Sequence, residues 1–582
     1  MFHVKDHKTP YMFDPFEHLG PKRRKLLDDS WAGVFRKHVR PILPVHLFVE
    51  HFDSQKGRPT NELVAMMGAM ILQQMHDLSD EETMSQFAFN LQWHYALDIT
   101  SESDKDAYVC SRSFWAIRNI MTTHDLYRPV FDTVGDNLAN VFDVDPSLQR
   151  IDSVHIFSNM RHLGRIGVFV ETIKKFLTNL KRHHTKAFST LEKDLADRYI
   201  KKERHSVFSM VKPSESSRTL EILGNDLFSL LECFKADEKI TAMNSYQLMV
   251  KMLKEQCIVK NDKTTNAKKV TVKSNKEVPS DSLQNPSDPD AGYDGHKGKG
   301  YQVQVAETYS TEECKEQLSL ITHVEVGSAD KSDAKALSPY LSSVKERDLS
   351  PKQVLADSLY GSDANCEEAK EMDIELVAPT MGGTKQDQCS LADFTFSEEN
   401  RVIACPQGHT PSRTKRKKGR LSAAFELETC ERCSLQNHCP AKAGKKAYYL
   451  RYTDKTARLS RRRTLEKTDE FREKYRYRAG VEATMSQYDR RTGVKRLRVR
   501  GLRAVSFCAF LKATALNILR AAAHNRNLNR GKYPTGSIFG HFPGLFQIIK
   551  EQFPIMSGIF TGILPISFLK YYRVLNARRC TP

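Results

Sequence analysis

Apolar positions along the chain fall into blocks with different repeats. Leu63, Met66, Met67, Met70 and Ile71 recur at three- and four-residue spacing after Gly57-Arg-Pro-Thr60. That is the repeat of one helix face, and it predicts an amphipathic helix there. Leu78-Ser-Asp-Glu-Glu supplies a serine cap for a second helix carrying Met84, Phe87 and Phe89, and Ser111 to Met121 predicts a third. The pattern therefore predicts an all-helical domain within residues 1–140. On pattern alone it suits a scaffold or oligomerisation bundle as well as a DNA-binding domain.

The repeat shortens at Gln149-Arg-Ile-Asp-Ser-Val-His-Ile-Phe157, which is rich in β-branched residues, follows Asp145-Pro146 and predicts a strand. Helical spacing returns over about 165–260, with Val168, Val170, Ile173, Phe176 and Leu177, then Leu220, Leu223, Leu227, Leu230 and Leu231. This stretch is expected as a helical insertion. Residues 260–300 turn to Lys, Asn, Ser, Asp, Pro and Gly and read as loop. Strands follow at Tyr301–Ala306, Leu320–Val326, Gln353–Asp357 and Ile374–Pro379, with helices near 332–344 and from Ser362 to Met372. Close strand connections followed by helical ones predict a mixed α/β class, with a mixed sheet flanked by helices in the order of an RNase H-like core. That core is expected over 145–379 and 451–524. It is interrupted by a cysteine-bearing insert at 380–450 and completed by a charged helix at Lys467–Asp489 and an apolar one around Phe507–Leu519. Residues 525–582 carry no readable motif.

Composition narrows the partners. A 582-residue chain exceeds one core and suggests three or four domains at roughly 100–200 residues each. A net charge of +18 and a pI near 9.2 call for an anionic partner, nucleic acid or an acidic membrane. The membrane reading is disfavoured. The first residues lack the layout of an export signal, and the apolar stretches Val505–Ala523 and Gly536–Leu569 are broken by Lys512 and by Lys550-Glu551. They read as buried helices, and a cytoplasmic compartment without membrane contact is expected.

Three carboxylates carry candidate chemistry. Asp152 sits inside a predicted strand, where a charge is disfavoured, and Asp357 ends an apolar strand just before Ser-Leu-Tyr-Gly. Either one alone reads equally well as a turn or cap residue. Tyr475, Arg478 and Glu482 are spaced to share one face of the charged helix. An Arg–Glu pair on a solvated face is the plainer reading of the last two.

Taken together these segments resemble the insertion-sequence DDE transposases, over about residues 30 to 520. Ile151-Asp-Ser-Val-His resembles the family's first aspartate strand, and Val354-Leu-Ala-Asp-Ser-Leu-Tyr-Gly-Ser its second. Tyr475-x2-Arg478-x3-Glu482 is similar to the Tyr-Arg-Glu part of the signature around its glutamate. Gly57-Arg-Pro through Leu78-Ser-Asp-Glu-Glu resembles its N-terminal helical domain, and Asp288-Pro-Asp-Ala with Lys299-Gly-Tyr its segment before the second strand. The signature's lysine, seven residues after the glutamate, is replaced by Asp489, with Arg490 and Arg491 following.

The resemblance implies a transposase that nicks double-stranded DNA at transposon ends and joins the freed 3′-hydroxyl to a target. It implies Asp152, Asp357 and Glu482 as ligands of Mg²⁺ or Mn²⁺, and a homodimer on DNA because two ends are processed together. Two such ions, roughly 4 Å apart, activate the attacking oxygen and stabilise the leaving one. A metal-dependent nuclease that cuts without joining, and an inactive domesticated DNA-binding protein, are the alternatives.

Cys405-Pro-Gln-Gly-His409, then Cys430, Cys433 and Cys439, have the spacing of a tetrahedral structural Zn²⁺ site, with His409 and His438 as substitutes. Cys110, Cys233, Cys257, Cys314, Cys366, Cys389, Cys508 and Cys580 are scattered and read as packing. Basic residues cluster at Arg413–Arg420, at Arg458 and Arg461–Arg463, and after the glutamate helix at Arg490, Arg491, Lys495, Arg496, Arg498 and Arg500. Solvated charge is the ordinary meaning of such runs. With Tyr475 and Arg478, the last group is expected to contact DNA.

Overall fold

The computed structural model describes residues 2–532 apart from 8, 10, 54–59, 201–207, 209–210, 262–267, 313–316 and 383–388. The chain divides into two compact units, 1–523 and 524–582. The Gly57-Arg-Pro segment, the apolar stretch 536–569, Cys314 and Cys580 lie outside the described residues.

Three N-terminal helices form where the apolar repeat places them, α1 (Leu63–His76), α2 (Asp80–Phe89) and α3 (Ser111–Thr123), and α4 (Tyr127–Val141), not read from the sequence, follows. Ser79 caps α2 in a reciprocal box with Glu82, which satisfies two backbone N–H groups at the helix start. These helices do not bury their apolar faces only against one another. Met67, Ile71, Val130 and Phe131 belong to the same hydrophobic core as Ile151, Val303 and Val305 of the sheet and Leu511 and Leu516 of the last helix.

The central sheet contains β1 (Leu148–Phe157), β2 (Gly298–Thr308), β3 (Ile321–Ser328), β4 (Gln353–Leu355) and β5 (Glu375–Val377). Its order is β3-β2-β1-β4-β5, with the first three antiparallel and the last two parallel to β1. Helices α8 (Leu337–Glu346) and α9 (Asp363–Glu371) make the crossovers to β4 and β5. This is the expected mixed α/β architecture, consistent with an RNase H-like core.

Between β1 and β2 stands the expected helical insertion, with α5 (Arg165–His183), α6 (Ser216–Phe234) and α7 (Asn244–Gln256) around a core of their own. The stretch read as loop from 260 also contains structure. Cys257–Asn261 and Lys268–Val272 pair as a hairpin, and Gly292–Asp294 pairs with β2. Lysine-rich edge strands are short and polar, so their alternation resembles loop composition.

The cysteine-bearing insert holds a small four-stranded sheet, β6 (Arg413–Lys417), β7 (Arg420–Phe425), β8 (Lys442–Ala443) and β9 (Tyr448–Thr453), in the order β6-β7-β9-β8. From β9 the chain enters α10 (Asp454–Leu465), α11 (Asp469–Tyr475), α12 (Gly480–Thr492) and α13 (Leu502–Lys532). By length and hydropathy α13 would cross a bilayer, yet 78% of its apolar window is buried by the protein. Lys512 within it is buried and donates to Asp77 at 2.8 Å.

Candidate active site

The register of two strands sets the first relationship. β1 and β4 pair in parallel up to Arg150 opposite Leu355. Two residues further along each chain, just past the end of the ladder, are Asp152 and Asp357, close enough for the charge of Asp357 to act on Asp152. Asp152 is held by β1 alone on that side, and its other neighbour is the buried Val305 of β2. Asp357 has left the strand, and its Oδ1 accepts the backbone N–H of Leu359 at 2.8 Å. Burial pushes the Asp152 carboxyl above its ordinary value against the pull of Arg478, and the nearby Asp357 and Asp333 add to the rise.

The second relationship comes from 326 residues away. Arg478 Nη2 donates to Asp152 Oδ2 at 2.8 Å, and Arg478 Nη1 to Glu482 Oε1 at 3.1 Å. One guanidinium thus ties the first acid to the third. Glu482 itself is 71% exposed, whereas Asp152 and Arg478 are below 20%.

The helix expected to carry Tyr475, Arg478 and Glu482 on one face is not continuous. α11 stops at Tyr475, a 3₁₀ turn spans Arg476–Ala479, and α12 starts at Gly480. Arg478 and Glu482 still meet across that junction. Tyr475 instead stacks on Phe471, ring centroids 5.5 Å apart, against the small cluster of Tyr309, Leu355 and Val377 beneath β4. The break gives Arg478 a different direction from a helical side chain, toward β1.

A buried ion network fixes α12 to the sheet. Glu307 of β2, fully buried, accepts from Arg150 of β1 at 2.7 Å, from Thr484 of α12 at 2.6 Å and from Arg520 of α13 at 2.8 Å. Arg150 also donates to the carbonyl of Tyr477 in the 3₁₀ turn at 2.7 Å. Breaking such a pair costs about 3–5 kcal/mol because the survivor is left buried and unpaired. Asp288 makes a second tie, accepting from the hydroxyls of Tyr301 and Ser158 and from the N–H of Gly501, just before α13.

Sequence reading missed a fourth acid. Asp333 is buried beside the pair, accepts from Gln304 Nε2 at 2.7 Å and from Ser153 Oγ at 3.4 Å, and Tyr360 donates to the same Gln304. Burial raises its pKa, and Asp357 contributes to the rise. In sequence Ser332-Asp333 has the form of a helix start, and Ser332 does cap Ala334. Nothing local distinguishes that from a residue turned toward the sheet.

The basic residues separate into two groups. Arg490, Arg491 and Arg496 are exposed, while Arg498 donates to the Asp77 carbonyl and Arg500 to Asn159. Lys495 faces Asp489, whose carboxylate accepts the Lys495 N–H at 3.2 Å, so the residue in place of the family lysine closes the turn after α12. The cluster Arg458–Arg463 is turned inward. Arg458 pairs with Asp363, Arg461 with Asn400, Arg462 with the carbonyls of Gly361 and Ala378, and Arg463 with those of Met381 and Gly382. It docks the insert on the loops after β4 and β5.

Cys405, Cys430 and Cys439 lie against the apolar core of the insert, with Cys433 one turn beyond Cys430. Cys389, read from sequence as isolated, joins them there, and burial with the neighbouring Cys439 pushes its thiol up to about 12. All are free thiols. Among the described residues no three His, Cys, Asp or Glu side chains converge closely enough to cage a metal, at the thiols or at the acids.

A family model described as "Transposase DDE domain" matches residues 404–522, and one described as "Transposase domain (DUF772)" matches residues 25–118. The first includes Arg478, Glu482 and the cysteines Cys405–Cys439. Asp152 and Asp357 lie outside both. No curated protein matches the chain.

Proposed function

As the chain belongs to the insertion-sequence DDE transposases, we propose that Asp152, Asp357 and Glu482 are the acids of its DNA-cleaving and DNA-joining site. The observation that carries this is the pairing of register and ion bridge. The parallel ladder of β1 and β4 ends two residues before Asp152 and Asp357, the charge of Asp357 acts on Asp152, and Arg478 ties Asp152 to Glu482.

The donor set fits a hard divalent cation such as Mg²⁺ or Mn²⁺. It offers carboxylate oxygens only, and the Arg478 guanidinium that now bridges Asp152 and Glu482 would have to release them to the ion. Such ions, when bound, supply charge neutralisation at the phosphoryl group and an activated oxygen nucleophile. The chain's own residues do the rest. Glu307 with Arg150 and Thr484 fixes α12 over the sheet, and Arg478 neutralises and aims Asp152. Arg490, Arg491 and Arg496, with Lys495, Arg498 and Arg500 behind them, present positive charge to the phosphates of double-stranded DNA. Two copies act together on two ends.

The decisive experiment is neutralisation of each acid. Asp152→Asn, Asp357→Asn and Glu482→Gln are each expected to abolish metal-dependent nicking of a duplex bearing the element's end while leaving duplex binding within a few-fold. Full nicking by any one variant removes that residue from the site. A nuclease lacking the joining step would nick but leave the freed 3′-hydroxyl unjoined in the same assay.

The thiols Cys405, Cys430, Cys433 and Cys439 form the second part of the proposal, a structural Zn²⁺ site that holds an insert with only a small core. Its support is the thiolate chemistry, the common position of Cys405, Cys430 and Cys439 against that core, and Cys433 one turn beyond Cys430. It has no part in the reaction.

A further inference from the structure

The hairpin β6–β7 projects from the insert with its outer strand uncovered. All five residues of β6, Arg413 to Lys417, are exposed, although successive side chains of a strand point to opposite faces. Neither face of β6 therefore has anything packed on it. β7 differs, with Leu421, Ala423 and Phe425 buried in the core of the insert. The register closes the strands at Lys417 opposite Arg420, and the two tip residues, Lys418 and Gly419, both have positive φ (48° and 72°). That is the two-residue turn whose twist matches paired strands, so the tip is rigid.

From Arg413 to Arg420 six of eight residues are basic and none is acidic. Arg416 is committed to Asp454. Arg413, Lys415 and Lys417 share one face of β6, about 6.8 Å apart at two residues per repeat. One DNA strand presents a phosphate about every 3.4 Å along the duplex axis and winds about that axis, so successive phosphates lie roughly twice as far apart along the backbone, on the scale of this face. A two-stranded ribbon is also narrow enough to lie in a major groove roughly 12 Å wide.

We propose that the β6–β7 hairpin is a DNA-binding arm that lays Arg413, Lys415 and Lys417 along the backbone of a duplex. Its position relative to the acids is fixed. Arg416 of β6 pairs with Asp454 at the start of α10, and α10 is held in turn by Arg458 on Asp363 and by Arg462 on the carbonyl of Gly361, four residues beyond Asp357. A duplex on the arm is thereby held at a set place with respect to Asp357. This rests on the transposase reading and adds a contact surface to it. The basic cluster of α10, Arg458–Arg463, anchors the arm and does not itself face DNA.

The test is the salt dependence of binding of a fluorescent random-sequence duplex by the full chain and by the triple variant Arg413→Gln, Lys415→Gln, Lys417→Gln. Each lost phosphate contact reduces the slope of log K against log salt by about 0.9, so the triple variant is expected to be shallower by about three. Its melting temperature should be unchanged, since the three side chains are exposed. An unchanged slope with unchanged melting overturns the arm and leaves the charges as protection of an open sheet edge. A change in sedimentation without a change in slope overturns it too, in favour of contact with a second copy. Absence of any salt-sensitive duplex binding by the unmodified chain would instead count against the transposase reading.

Discussion

Arg478 Nη2 stands 2.8 Å from Asp152 Oδ2, and this one contact joins β1 to the 3₁₀ turn just before α12. It is a charge-assisted bond made by a side chain whose other Nη reaches Glu482. Lysine carries the charge without the fork and cannot serve both acids in that geometry. Arg478→Lys should therefore lower the single-turnover nicking rate by about ten- to a hundredfold, and Arg478→Ala by about a hundredfold or more. Rates unchanged in both variants would reduce the bridge to a surface ion pair.

Glu307 separates position from chemistry. It touches neither Asp152 nor Glu482, yet its partners belong to β1, α12 and α13. Glu307→Gln should destabilise the fold by about 3–5 kcal/mol, read as a lower urea midpoint. The milder Thr484→Val removes only the α12 contact. We expect it to keep most of the stability and duplex binding while its nicking rate falls several-fold. Equal losses of binding and nicking would show that the network supports the fold without aiming the site.

Gly480 begins α12 with ordinary helical φ, so its role is spatial. A Cβ there would overlap the guanidinium of Arg150, which is pinned by Glu307 and by the Tyr477 carbonyl. Gly480→Ala should displace Arg150 and slow nicking more than it weakens duplex binding. A fully active Gly480→Ala protein would mean that Arg150 is free to move aside.

The N-terminal segment should respond to pH. His7 lies 3.3 Å from Glu62 and 3.4 Å from Asp98, all three nearly buried. Burial opposes its charge, but the two carboxylates beside it prevail and raise its pKa above 6.5. A histidine raised in the folded state contributes stability fully below its unfolded pKa and loses it as pH rises through the folded value. The melting temperature should decline as pH is raised above 6.5, and His7→Asn should flatten that decline. Parallel profiles for both proteins would assign the change to other groups.

For the thiols, metal analysis of protein purified without chelator is expected to give one zinc per chain, lost in Cys430→Ser together with resistance of the insert to proteolysis. All four thiols reacting rapidly with a thiol reagent in the native, zinc-free protein would exclude the site.

The sequence by itself determined what depends on neighbours along the chain. The β-branched run around Asp152, the apolar strand ending at Asp357 and the caps at Ser79 and Ser362 are local patterns with one conformational reading each. Charge spacing likewise made Arg478 and Glu482 partners. Only the tertiary structure decided where side chains were directed across distance. The 3₁₀ turn from which Arg478 reaches Asp152, and the β1–β4 ladder that ends beside Asp152 and Asp357, arise from pairing between segments far apart. The same holds for Asp333, which is a helix start in sequence and a buried neighbour of the acids in space, and for Cys389, isolated in sequence and gathered in the fold. The clusters Arg413–Arg420 and Arg458–Arg463 are both strongly basic, yet the second is consumed by carbonyls and carboxylates while the first is left outward. Charge fixes what a residue attracts, and packing decides which partner is within reach.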